Sequence, residues 1–77
     1  MIELISDTSA RIELSSFFYQ QIHLEKAAKD FEDICNTEIT QKLALFIVSI
    51  TLKESTEDIL HVSREFCNYL LGLRKNG

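Results

Sequence analysis

Between Lys42 and Lys53 the chain reads Lys-Leu-Ala-Leu-Phe-Ile-Val-Ser-Ile-Thr-Leu-Lys, with no Gly or Pro and four β-branched residues. β-Branched side chains are stiff at χ1 and pack well on a pleated surface, so this run predicts the central strand of a small sheet. Pleating sorts it into two faces. Ala44, Phe46, Val48, Ile50 and Leu52 share one, and Leu43, Leu45, Ile47, Ser49 and Thr51 share the other. The first set predicts the core face. The second sets three aliphatics before two hydroxyls, which is too apolar for a freely solvated surface. A two-layer domain leaves one sheet face without helices. If both helices cover the Phe46 side, Leu43, Leu45 and Ile47 form an exposed patch of the kind that marks an interface. Cover by the N-terminal segment or by the aromatics at 17–19 is an equal expectation.

Upstream, Ile2 and Leu4 alternate with Glu3, and Ala10, Ile12 and Leu14 alternate with Arg11 and Glu13. Period two over a short span predicts half-buried strand. Ser6-Asp7-Thr8-Ser9 between them is turn chemistry, so 2–14 is one irregular edge strand or 2–6 and 10–15 form a hairpin. Phe17-Phe18-Tyr19 breaks the alternation. Three consecutive rings cannot face one way, so this is a connection with one or two rings over the sheet end, a small local core rather than a stacking platform.

From Gln21 to Cys35 the period becomes helical. Leu24, Ala27, Ala28, Phe31, Ile34 and Cys35 fall in an arc of roughly 120°, with Glu25, Lys26, Lys29, Asp30 and Asp33 opposite. Residues 36–41 predict a strand pairing antiparallel with the opening stretch, with Gln41-Lys42 as a tight turn. A second helix is predicted from Ser55-Thr-Glu-Asp58, an S-x-x-D capping arrangement, to about Arg74, before Asn76-Gly77. Ile59, Val62, Phe66, Leu70 and Leu73 make its apolar seam, and His61, Glu65, Asn68 and Gly72 its polar stripe. The expected architecture is α+β: a small antiparallel sheet of three or four strands with two helices on one face, in the order β-α-β-β-α, as a single domain over residues 1–77.

The chain has 8 basic and 12 acidic residues, net charge −4. Nucleic acids and anionic membranes select clustered Lys and Arg, so neither is expected as a partner. The longest apolar run, Leu43 to Val48, is far short of the ~20 residues of a spanning helix, and Met1-Ile-Glu-Leu lacks the basic start of a secretory signal. These features predict a cytoplasmic protein. Cys35 and Cys67 lack metal-ligand spacing and lie in apolar arcs, so buried free thiols are expected. His61 and Glu65 lie one turn apart and could hold a metal or pair as a base and its orienting partner, yet two ligands make no zinc site. With two glycines and no Walker or C-x-x-C pattern, no enzyme activity, metal or cofactor is expected.

The stretch Glu65-Phe66-Cys67-Asn68-Tyr69-Leu70-Leu71-Gly72-Leu73-Arg74 resembles the C-terminal signature of the His-Xaa-Ser system protein HxsD family, where a phenylalanine-asparagine-leucine-leucine helix ends near a leucine-arginine pair. Ile12-Glu-Leu14, Tyr19, Leu24-Glu-Lys-Ala-Ala28 and Phe31 agree in outline, so the resemblance covers roughly residues 10–75. The chain departs from that pattern where Gly72 directly precedes Leu73-Arg74 and Lys75 follows; the family usually has one or two extra residues before the pair and an acid after it. The resemblance implies a non-catalytic accessory protein in radical SAM-dependent modification of a ribosomally made peptide, binding the precursor peptide or the maturase. It assigns no catalytic residues. The residues themselves nominate Leu43, Leu45, Ile47, Glu65, Asn68 and Tyr69 as an interface, with a peptide added at an open sheet edge as one mode. A homodimer of structural role is the alternative expectation, and a metal protein or minor enzyme using His61 and Glu65 a distant one.

Overall fold

The computed structural model describes residues 1–76. It contains β1 (Ile2–Leu4), β2 (Ser9–Ser15), α1 (Gln21–Asp30), β3 (Cys35–Lys42), β4 (Leu45–Leu52) and α2 (Ile59–Asn76). The strands form one antiparallel sheet in the order β1-β2-β4-β3. The class is α+β as expected. The hairpin form of the opening stretch is the one adopted, so β1 precedes the expected β-α-β-β-α order.

The apolar run does lie inside the sheet, with β2 along one side of β4 and β3 along the other. This corrects the pairing expected for 36–41. That segment pairs with β4, not with the opening stretch, because placing the most apolar strand between two others satisfies its backbone on both sides. The reversal also moves. It falls at Leu43-Ala44, just beyond Gln41-Lys42, so Leu43 leaves the strand altogether.

Both helices are shorter at one end than their patterns suggest. α1 stops at Asp30, where the amides of Ile34 and Cys35 both donate to the Phe31 carbonyl at 3.0 Å. This tight turn delivers Cys35, buried, as the first residue of β3, while Ile34 swings outward. α2 begins at Ile59 because Asp58, not Ser55, is the cap. Its Oδ1 accepts the amides of Leu60 at 2.9 Å and His61 at 3.3 Å. Gly77, the expected helix stop, lies outside the described residues.

The core forms where both helices meet the even-numbered face of β4. Phe46, Val48, Ile50 and Leu52 join Ala10, Ile12 and Leu14 of β2, Leu24 and Ala27 of α1, and Ile59, Val62, Phe66 and Leu70 of α2. Phe31 meets the Phe66 ring edge-on at 5.3 Å, locking the two helices together. The 3.6-residue spacing of α2 and the two-residue spacing of β4 thus converge on a single apolar layer.

Candidate docking surface

The helix-free side of the sheet follows from the strand registers. Glu3, Arg11, Ser49 and Glu38 form one row across it, Glu13, Ile47 and Thr40 the next, and Ser15, Leu45 and Lys42 the last. The Arg11 guanidinium pairs with the Glu3 carboxylate. Ile47 is half-buried between its polar neighbours, and the Thr40 hydroxyl donates to the Ile47 carbonyl at 3.4 Å. Neither the N-terminal segment nor the aromatic turn lies over this face. It is nevertheless mostly polar, because β2 and β3 contribute only charged and hydroxyl-bearing or amide side chains to it. The apolar surface is concentrated at the end of the face, not spread over it.

Leu43 shows why. It occupies the first position of the two-residue loop between β3 and β4, with φ +58° and 92% of its surface exposed. Positive φ at that position alone is the pattern of a type II′ turn, where glycine is the usual residue. A leucine there is both strained and solvated. Beside it lies the turn after β2. The Ser16 amide donates to the Ala44 carbonyl at 2.9 Å, and this turn holds Phe17 and Phe18 at 83% and 60% exposure. The expected cover of the sheet end is thus supplied by Tyr19 alone, which packs against the core. Leu45, 41% exposed, continues the apolar surface onto the sheet.

Positive charge gathers at this same end. The Arg74 guanidinium stands 5.4 Å from the centre of the Phe18 ring and 5.6 Å from that of Tyr19, within cation–π range. Arg74 and Lys75 line a shallow depression with Leu71, and Lys42 lies opposite Leu45. The far end is acidic, with Asp7, Glu57 and Asp58 around a cleft that also includes Ser55. A chain of net negative charge therefore has one basic, apolar end.

The second group of expected interface residues is divided. Glu65 and Asn68 are exposed on α2, and the Glu65 carboxylate stands 3.9 Å from His61 Nε2. Tyr69 is committed elsewhere. Its ring packs on Phe31 and its hydroxyl donates to the Asp30 carboxylate, so it joins the helices to each other. That bond holds the Asp30 carboxyl below its usual range and the Tyr69 hydroxyl above its own. Burial raises both Cys35 and Cys67 thiols, which keeps them in the poorly nucleophilic protonated form. Among the described residues no three His, Cys, Asp or Glu side chains gather to hold a metal ion, and no helix is long and apolar enough to cross a membrane.

Phe17, Phe18 and Arg74 were not among the residues that sequence reasoning nominated. The three-aromatic run was visible, but nothing local fixes which rings turn outward. Comparison with protein-family models, curated proteins and solved structures finds no match to this chain.

Proposed function

We propose that this chain is a non-catalytic docking module whose partner seats on the end formed by Phe17, Phe18, Leu43 and Leu45. Leu43 carries the reading. A side chain that occupies a glycine position while almost wholly exposed contributes nothing to the core, and strain of this kind gathers at sites shaped by recognition. Arg74, Lys75 and Lys42 give the rim a positive sign, so the contacting segment of the partner combines large apolar side chains with acids. The resemblance of residues 10–75 to the HxsD family supplies the setting: a cytoplasmic accessory protein in radical SAM-dependent peptide modification, engaging the maturase or the precursor peptide.

The experiment is a titration of the isotope-labelled chain with the precursor peptide and, separately, with the radical SAM enzyme encoded beside it. Shift changes or line broadening should centre on residues 16–18 and 43–45. Absence of any such neighbouring genes removes the peptide-modification setting. Binding that maps to the acidic end around Asp7 and Asp58 overturns the docking site.

A further inference from the structure

β3 is the long free edge of the sheet. The opposite edge, β1, is only 3 residues, whereas β3 offers 8. In an antiparallel ladder the bonded pairs alternate, and the Lys53 amide donating to the Ile34 carbonyl at 3.0 Å fixes the phase. Even-numbered residues of β3 therefore point their backbone groups at β4, and odd-numbered ones point theirs outward. The Cys35 amide is already taken by the Phe31 carbonyl. Thr37, Ile39 and Gln41 are left with N–H and C=O groups facing away from the sheet.

We propose that this edge pairs with β3 of a second copy of the chain, antiparallel, about a two-fold axis through Thr40. For both copies to keep their core sides on the same face, the axis must pass through a residue. An axis at Glu38 sets like charges directly opposite, and an axis at Ile39 sets each Glu38 against a threonine and pairs no charges. The axis at Thr40 sets Glu38 opposite Lys42 of the second copy, twice, with Thr40 facing Thr40. Ile39 and Gln41 then exchange backbone hydrogen bonds across the interface. Within one chain Glu38 and Lys42 are four strand positions apart, roughly 13 Å, and cannot meet; Glu38 faces Ser49 and Lys42 faces Leu45. Their complementarity is satisfied only between copies. This inference is independent of the docking reading. Lys42 belongs to both surfaces and Leu43 falls at the end of the pairing, opposite Thr37 of the second copy, whereas Phe17 and Phe18 follow β2, on the other side of β4 from this edge.

Sedimentation equilibrium on the full chain tests it. The wild type should be a dimer that dissociates on dilution. Glu38→Lys and Lys42→Glu should each weaken the dimer by about tenfold, since two attractive cross-strand pairs become repulsive. The double variant E38K/K42E should return to within a few-fold of wild type. Gln41→Pro, which removes an outward N–H from an exposed side of an edge strand, should be monomeric with an unchanged circular dichroism spectrum. A wild type that stays monomeric at every accessible concentration overturns the proposal, including one that instead takes up an extended peptide at this edge. So does a folded double variant that fails to recover the dimer, or a dimer indifferent to Gln41→Pro.

Discussion

The Ser16 amide donates to the Ala44 carbonyl at 2.9 Å, so the aromatic turn and the β3–β4 hairpin tip are joined by backbone. Extending the β2–β4 ladder one step past Ser15 and Leu45 fixes Phe17 and Leu43 in one surface rather than on two independent loops. Backbone, not side-chain packing, sets their relative position. Substituting either exposed side chain should therefore leave the arrangement of the other intact.

Leu43→Gly should make the protein more stable. Removing a side chain from positive φ recovers roughly 1 kcal/mol, partly offset by the freer unfolded chain. Urea denaturation of the two proteins measures the difference. An equal loss of stability would mean that Leu43 packs against something in the folded chain.

The two faces of β4 should respond oppositely to a carboxylate. Phe46 is buried against both helices' side of the sheet, and Phe46→Asp should unfold a domain whose total stability is about 5–15 kcal/mol. Leu45→Asp, one residue earlier on the open face, should cost about 1 kcal/mol or less. Circular dichroism melts of both variants decide this. A Leu45→Asp protein that is also unfolded would place Leu45 in the core.

The Tyr69–Asp30 contact should give stability a pH dependence at both extremes. The Asp30 carboxyl is lowered from its ordinary value near 3.8, chiefly by the Tyr69 hydroxyl and further by Lys26, whose Nζ stands 3.3 Å away. A lowered folded value contributes stability that is complete above the ordinary carboxyl range and lost as pH falls through the folded value. The Tyr69 hydroxyl is raised above 10, chiefly by the same bond, and its contribution is complete below that pH and lost as pH rises past the folded value. In Tyr69→Phe, the Asp30 carboxyl should titrate closer to its ordinary value by NMR. The melting-temperature gap from wild type should shrink in acid.

Ser63 is fully buried on α2, and its hydroxyl has no hydrogen-bond partner. Ser63→Ala removes an unsatisfied polar group and installs a better helix former, so a gain of roughly 1–2 kcal/mol is expected. Thermal denaturation checks the sign. A loss would indicate a hydroxyl bond made within the helix.

Much of the fold was legible because two periods are written plainly in the chain. The alternation of Phe46, Val48, Ile50 and Leu52 and the helical spacing of Ile59, Val62, Phe66 and Leu70 each mark the side that ends up buried. Element ends were less legible, because capping depends on geometry that residue types only permit. Ser55 and Asp58 are both good caps, and only the approach of the chain from β4 selects Asp58. Strand partners were hidden for another reason. Residues 35–42 are nearly free of large apolar side chains, so their place beside β4 comes from the two-residue loop and not from their own pattern. The docking end was hardest to read. It assembles residues from three separated segments, and the nominated Leu43 reaches it through a turn, not through the strand face it was assigned to.

The measurement that tests the docking account most directly is calorimetric titration of the wild-type chain and of Leu43→Gly with the proposed partners, a precursor peptide and a radical SAM enzyme from neighbouring genes. The account predicts that wild type binds one of them and that Leu43→Gly, although more stable, binds it at least about tenfold more weakly, as for an exposed leucine losing its buried contact. Equal affinity of the two proteins, with the variant's fold unchanged, would contradict it.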